Sequence, residues 1–156
     1  MMKKLNNKGF TLIELLAVIV ILSILVAVAV PAVTTYLAGA KKGSFSTNAS
    51  YAIAAVRNDV ILKGNSTSKK YTLDEINKLL DRKLTTSPYG SDYDVSSYIA
   101  VDYDSAGIAK FSICLIDEGG NGIFNSAEGA SSTAVLETDV SETVVKNNLT
   151  SAAVCK

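Results

Sequence analysis

The fold of this chain is decided by one N-terminal stretch, Lys8-Gly9-Phe10-Thr11-Leu12-Ile13-Glu14-Leu15, which leads into an apolar run that continues to Val33. Between Leu15 and Val33 the only polar side chain is that of Ser23. As a helix rising about 1.5 Å per residue, this run is roughly 28 Å long, close to the hydrocarbon thickness of a bilayer. The sequence therefore predicts a helix that spans a membrane or lies in a similarly apolar environment.

A single carboxylate, that of Glu14, lies at one edge of the apolar run, beside a leader that carries Lys3, Lys4 and Lys8. A charged side chain near the centre of a spanning helix costs roughly 2.5–3.5 kcal/mol, and intramembrane carboxylates are usually functional. The lysines favour a cytoplasmic N-terminus, so the bulk of the chain is expected outside. Glu14 is therefore a candidate functional residue, although an intramolecular pair or an interaction with the helix dipole would also explain its position.

Three kinds of processing are considered for this N-terminus. An ordinary secretory signal peptide would be cut after Ala27-Val28-Ala29, but the apolar stretch is longer than the usual run of about 7 to 15 residues. The segment would otherwise remain as an uncleaved single-span anchor. The third alternative rests on a resemblance, because KGFTLIEL (8–15) followed by an apolar helix resembles the class III signal peptide of type IV prepilins and the related pseudopilins.

The resemblance to type IV prepilins implies a role for three residues. Gly9 would be the last leader residue, and a membrane-embedded prepilin peptidase would cut between Gly9 and Phe10 and methylate the new N-terminus at Phe10. Glu14 would pair with the Phe10 amine of a neighbouring subunit during assembly. The implied partners are the peptidase, the pilus assembly machinery and further copies of the chain in a helical filament.

The implied pairing of Glu14 with a neighbouring Phe10 is physically reasonable. Cleavage would create an ammonium group at the positive end of the helix dipole, where a cation is unfavourable. A buried charge is costly alone and tolerable when paired, and an apolar environment strengthens the attraction between the two charges. A staggered neighbour would satisfy both groups.

The helical pattern extends well beyond the apolar run, from Phe10 to about Lys63. Pro31 lies inside it and is expected to kink the helix, because proline lacks the backbone N–H and clashes with the preceding turn. After residue 43, apolar residues recur at three- and four-residue spacing and predict one buried face. That face consists of Phe45, Ala49, Ala52, Ile53, Val56, Val60 and Ile61.

The remaining chain predicts a small antiparallel sheet with one short helix. Thr72 and Glu75 have the spacing of a capping box at the start of that helix, and the segment 87–90 has the composition of a turn. Segments 97–103 and 108–116 predict a hairpin, and segments 133–137 and 140–145 are weaker strand candidates. The face of the sheet opposite the long helix is expected to be solvated.

These elements predict an α+β protein in which one long N-terminal helix packs on a small antiparallel sheet, which is the pilin fold that the resemblance implies. The expected organisation is a leader at 1–9, a hydrophobic transmembrane or filament-core helix at 10–40, and a globular head at 41–156. The head would comprise the second half of the long helix and the sheet.

The only two cysteines, Cys114 and Cys155, leave two alternatives open. Because the head would lie outside the membrane, where disulfides persist, the two can form one bridge that ties the C-terminus to a central strand, as in several pilins of Gram-negative bacteria. Alternatively, Cys114 is a small buried residue and Cys155 is a free thiol at a frayed end.

The segment from Asp117 to Glu128 partly matches a calcium-binding loop. Asp117, Asn121, Gly122, Asn125 and Glu128 fall at positions one, five, six, nine and twelve of the twelve-residue pattern. Position three is occupied by glycine, where an oxygen ligand is expected, and a strand rather than a helix precedes the loop. The sequence leaves calcium binding open, and no metal site is predicted.

Composition argues against several classes of function. The chain has 15 basic and 15 acidic residues, so loss of the three leader lysines would leave a net charge of −3. It has no histidine, the commonest general base, and it has no catalytic motif of the usual kinds. No basic stripe with interleaved aromatic residues indicates a nucleic-acid partner. We therefore predict a non-enzymatic protein without a cofactor.

The expected function is that of a type IV major pilin, the structural subunit of a filament for adhesion, motility or biofilm formation. The alternatives are a pseudopilin of a type II secretion or competence system and a minor tip pilin that acts as an adhesin. The precursor would be a single-pass protein of the cytoplasmic (inner) membrane, and the mature subunit would lie in an extracellular pilus. Richness in Lys, Asn, Ser and Thr suggests an AT-rich genome, and the lack of a clear terminal disulfide loop fits a Gram-positive host.

Overall fold

The computed structural model describes residues 9–64, 67–126, 132–146 and 155. The chain forms two compact units, Met1–Ala38 and Gly39–Lys156. Helix α1 (Leu12–Lys63) begins in the first unit and continues into the second. The predicted long helix is thereby confirmed, with its first residue at Leu12 rather than Phe10.

In the second unit, α1 buries one face made of apolar residues at three- and four-residue spacing. This face consists of Phe45, Ala49, Ala52, Ile53, Val56 and Val60. The inclusion of Ile61 in the predicted face was wrong, because its side chain is 68 % exposed. At 100° per residue, Ile61 lies about 80° from Ile53 around the helix, whereas Val60 lies within about 20° of it.

Strand β1 (Lys69–Thr72) leads directly into helix α2 (Leu73–Leu79). The predicted capping box at this helix is confirmed: the Glu75 N–H donates to the Thr72 hydroxyl, and the Thr72 N–H donates to the Glu75 carboxylate at 3.0 Å. The two bonds satisfy backbone N–H groups that the helix itself leaves without partners. Strand β1 was not predicted, because two of its four residues are lysines and only Tyr71 is buried.

The predicted hairpin is also confirmed. It consists of β2 (Tyr98–Tyr103) and β3 (Ala109–Ile116), which pair antiparallel with Tyr98 opposite Cys114. The connecting turn uses Gly107 at a φ of 76°, a conformation that favours glycine.

Six strands form the main sheet. Its order is β1-β2-β3-β4-β8, where β4 is Gly122–Ile123 and β8 is Val145–Lys146, and β7 (Val135–Leu136) also pairs with β3. A separate two-stranded sheet joins β5 (Asn125–Ser126) to β6 (Ser132–Thr133).

Of the two weaker strand predictions, that for 133–137 was partly right and that for 140–145 was wrong. Within 133–137 only β7 and the end of β6 are strands, and the segment 140–145 contributes only the first residue of β8. Two 3₁₀ helices, Glu137–Asp139 and Glu142–Val144, occupy most of the remainder. Asp139 and Ser141 are of residue types that favour turns over regular strands, and the Val140 N–H closes the first 3₁₀ turn by donating to the Glu137 carbonyl.

The face of the sheet opposite α1 is not simply solvated, which corrects the prediction. Tyr98, Cys114, Ile116, Phe124 and Cys155 form a second, smaller buried cluster there. The structure joins Cys114 to Cys155 in a disulfide at the centre of this cluster. The sequence argument for a Gram-positive host, which rested on the lack of a terminal disulfide loop, therefore loses its support.

Candidate processing and assembly site

The expected cleavage site lies just before the first turn of α1. Gly9 and Phe10 have no regular secondary structure, and the Phe10 side chain is 92 % exposed. The Gly9–Phe10 peptide bond therefore lies outside the helix, in a conformation that a peptidase can reach without unwinding it.

Thr11 and Glu14 form a second capping box at the N-terminus of α1. The Glu14 N–H donates to the Thr11 hydroxyl at 3.3 Å, and both the Thr11 N–H and the Thr11 hydroxyl donate to Glu14 Oε2 at 2.8 Å. The Leu15 N–H donates to the Thr11 carbonyl at 3.3 Å, which marks Thr11 as the N-cap. The carboxylate is thereby held in one orientation at the positive end of the helix dipole.

All of these bonds to the carboxylate use one oxygen. Glu14 Oε1 accepts no hydrogen bond from the described residues. An acceptor with one oxygen engaged and one oxygen available can receive a further donor without losing its intramolecular bonds. The hydrogen bonds from Thr11 reduce the energetic cost of a carboxylate beside an apolar segment, and the second oxygen can still accept a bond from a cation or another donor.

Sequence reasoning missed the capping box of Thr11, although a signal for it was present. The spacing Thr11-x-x-Glu14 before an apolar run is the same as Thr72-x-x-Glu75, which was interpreted as a capping box. The intramolecular partner of Glu14 in the structure is Thr11, whereas the alternatives predicted for this carboxylate were a pair with Phe10 and an interaction with the helix dipole. The interaction with Thr11 does not exclude a further partner at the second oxygen.

The apolar part of α1 is exposed on every side. Eighteen large apolar side chains of the first unit are each about half exposed or more. They are Phe10, Leu12, Ile13, Leu15, Leu16, Val18, Ile19, Val20, Ile21, Leu22, Ile24, Leu25, Val26, Val28, Val30, Val33, Tyr36 and Leu37. A helix that is apolar all round is stable only when lipid or protein covers it. Among the described residues, α1 is the helix that is long and apolar enough to cross a membrane.

The hydroxyls of Ser23, Thr34 and Thr35 donate hydrogen bonds within the helix. Ser23 donates to the Ile19 carbonyl at 2.7 Å, and Thr34 and Thr35 donate to the Pro31 carbonyl at 2.9 and 3.0 Å. In an apolar medium an unsatisfied hydroxyl would be costly, so these bonds suit the segment to lipid or to a protein core. Helix α1 continues through Pro31, and the kink expected there stays a prediction.

The two cysteines lie in the second unit. The backbone N–H of Cys155 donates to the Ser96 hydroxyl at 3.2 Å, and the disulfide fixes the same residue to β3. Of the two alternatives for the cysteines, the structure contains the bridge.

The first residue of the calcium-like loop has an internal role. The buried Asp117 carboxylate accepts hydrogen bonds from the Ser87 hydroxyl at 2.5 Å and from the backbone and side-chain N–H groups of Asn121 at 2.8 and 3.1 Å. These bonds close the turn between β3 and β4. Glu128 and the Asn125 side chain lie outside what the structure describes, and its described residues contain no group of three or more metal-binding side chains.

Comparison with known proteins gives one match. Residues 4–30 match the prokaryotic N-terminal methylation motif, a range that includes Gly9, Phe10, Thr11 and Glu14. No curated protein and no solved structure matches the chain. The motif is typical of structural subunits rather than catalysts, and together with the exposed apolar helix it fits a membrane-anchored precursor. Residues 4–30 of this chain therefore carry the class III signal peptide of type IV pilins, and this motif supports a precursor of the pilin-like or pseudopilin type that prepilin peptidase processes.

Proposed function

We propose that the protein is the structural subunit of a type IV pilus, made as a membrane-anchored prepilin and assembled into a surface filament. In this proposal residues 1–9 are the leader, 10–40 form the transmembrane and then filament-core helix, and 41–156 form the head. Prepilin peptidase cuts between Gly9 and Phe10 and methylates the Phe10 amine.

The observation that carries the proposal is an apolar helical segment that is exposed on every side. At its start, hydrogen bonds from Thr11 orient the carboxylate of Glu14. The apolar surface requires lipid before assembly and other subunits after it. In a filament, copies of the same helix supply that cover through contacts that repeat without closing, and such contacts produce a fibre. The free oxygen of Glu14 is suited to the Phe10 amine of the neighbouring subunit, because the bonds from Thr11 use the other oxygen.

The first experiment is intact-mass analysis of protein recovered from sheared cell-surface material. A mass equal to Phe10–Lys156 plus one methyl group, recovered abundantly from fibres, is expected. Recovery of the processed protein only from membranes, without long fibres, would favour a pseudopilin instead. A chain that begins at Val30, or one that retains Met1, would contradict the proposed processing.

A variant series separates processing from assembly. Thr11→Val removes the hydroxyl at nearly constant volume, whereas Thr11→Ser retains it. A hydrogen bond to a charged group is worth about 1.5–3 kcal/mol. We therefore expect Thr11→Val to lower the yield of assembled protein at least tenfold, while cleavage after Gly9 and methylation of Phe10 are unchanged. Glu14→Gln should be more severe, and Thr11→Ser should restore assembly.

Ser23→Ala is the matched control for this series. It also removes a hydroxyl from the apolar segment of α1, but that hydroxyl bonds only to the Ile19 carbonyl. Fibre yield should be unchanged. If Ser23→Ala and Thr11→Val reduce fibres equally, the argument from Glu14 fails.

A further inference from the structure

A groove with a mixed polar and apolar lining lies in the second unit, beside the part of α1 that follows Gly39. Its volume is about 770 Å³. Residues 40–48 of α1 form one wall, and residues 82–88, which follow α2, form the other. Hydroxyl groups are frequent in the lining and include those of Ser44 and Thr85.

The groove is positively charged in an otherwise acidic mature chain. Arg82 and Lys83 line it, and its described lining contains no Asp or Glu. Lys41 stands next in sequence to the lining residue Ala40, with its ammonium 5.6 Å from the ring centroid of Tyr89. No acidic residue occurs in α1 from Leu15 to Asn58. The carboxylates of Asp92 and Asp117 accept hydrogen bonds from the lining hydroxyls of Thr86 and Ser87.

The guanidinium of Arg82 is held in place by neighbouring side chains. It donates to Asn48 Oδ1 at 3.1 Å, and the Asn48 amide donates in turn to the Tyr93 hydroxyl at 3.0 Å. The Tyr93 ring packs against the buried Phe45, with 5.4 Å between ring centroids. A guanidinium has five N–H donors, so most of them remain for a ligand. Oriented donors of this kind suit the planar, two-oxygen face of a phosphate group.

The position of the groove residues after the apolar run in the sequence indicates which phosphate group the groove would bind. Lys41 is the first charged residue after the apolar run, and residues that follow a spanning helix lie near the level of the lipid headgroups. We propose that the groove binds the phosphate-bearing headgroup of an anionic phospholipid in the outer leaflet, before the subunit leaves the membrane. The proposal rests on the membrane-anchored precursor of the proposed function.

The test uses the full chain in neutral detergent and native mass spectrometry with added lipid. Phosphatidylglycerol should form a one-to-one adduct, whereas phosphatidylcholine and free glycerol phosphate at the same concentration should bind much less. A basic side chain near a lipid surface contributes about 1 kcal/mol, or roughly fivefold in affinity. The double variant Arg82→Gln/Lys83→Gln should therefore bind phosphatidylglycerol about 25-fold more weakly.

Two further variants make the test specific. Lys78→Gln/Lys110→Gln removes the same charge from α2 and β3, outside the groove, and should leave the adduct intact. Lys83→Gln alone should weaken binding about fivefold without disturbing the fold, because no described residue forms a hydrogen bond or ion pair with Lys83.

Several results would overturn the headgroup site. One is equal binding of phosphatidylglycerol and phosphatidylcholine. Another is an equal loss of phosphatidylglycerol binding in the two double variants. A third is free glycerol phosphate binding as tightly as the lipid. Alkaline extraction of cell membranes tests the proposed function separately. A chain that is extracted as a peripheral protein contradicts the membrane anchor itself, whereas an integral protein without headgroup preference contradicts only the groove.

Discussion

Removal of the Cys114–Cys155 disulfide should destabilise the second unit by about 4 kcal/mol. The two cysteines are 41 residues apart in sequence. In the chain-entropy description, cross-linking a loop of this length removes an entropy from the unfolded chain that corresponds to roughly 4 kcal/mol at 25 °C. For a unit of this size, such a loss corresponds to a fall of about 10–20 °C in Tm.

The assay is urea denaturation of the full chain in neutral detergent, followed by near-ultraviolet circular dichroism. The chain has seven tyrosines and no tryptophan, and Tyr98 lies in the cluster around the disulfide, so this signal reports on its packing. The variant Cys114→Ala/Cys155→Ala is compared with the oxidised and the reduced wild type. The reduced wild type and the variant should both unfold at a lower urea concentration than the oxidised protein.

Reductant supplies the control, because it should have no effect on the double variant. A loss below about 1 kcal/mol in both the reduced protein and the variant would refute the reasoning. It would mean that the Cys155 N–H bond to Ser96 and the surrounding apolar contacts hold the C-terminal residue without the covalent link.

Three further predictions concern single residues. Burial, followed by the hydrogen bond to the Asp59 carboxylate at 3.0 Å, raises the pKa of Tyr71 to about 12. Its contribution to stability is therefore complete below about pH 10 and is lost as the pH rises towards 12, and thermal unfolding of Tyr71→Phe should lack this loss. Gly122→Ala should cost roughly 2–3 kcal/mol in urea denaturation, because a Cβ there would lie 2.6 Å from the Leu115 carbonyl oxygen. Gly39→Ala should instead stabilise α1 by roughly 0.5–1 kcal/mol in the same assay, because no atom lies within 4 Å of the added carbon. Equal changes in the free energy of unfolding for Gly122→Ala and Gly39→Ala would contradict the argument from space at the two glycines. A Tyr71→Phe variant that loses as much stability at alkaline pH as the wild type would contradict the argument from Tyr71.

Local sequence signals were sufficient for much of the second unit. The spacing of apolar residues from Phe45 to Val60 predicted the buried face of α1, and Thr72-x-x-Glu75 predicted a capping box that the structure contains. Both patterns depend on residues within a few positions of one another, where helix geometry alone relates sequence to space. The same spacing, Thr11-x-x-Glu14, also indicates the capping box at the start of α1.

Contacts between distant segments could not be predicted in the same way. Strand β1 forms because its backbone pairs with β2, about 30 residues further along the chain, and its own side chains do not alternate enough to indicate this. The groove beside Arg82 likewise depends on Asn48, which orients the guanidinium from another element. Pairings of this kind depend on which surfaces meet after folding.

The sequence by itself determined the N-terminal region of this protein: a basic segment that precedes a Gly-Phe pair, a carboxylate at the start of an apolar helix, and a helix that requires cover along its whole apolar length. These properties follow from local composition, because a run of apolar residues and one charge have the same energetic meaning wherever the rest of the chain lies. Only the tertiary structure decided how Cys114 and Cys155 are used, why Asp117 is buried, and that Arg82 and Lys83 line a groove with residues 40–48 of α1. Those outcomes depend on the distances between segments far apart in sequence, which become defined only when the sheet has formed and packed.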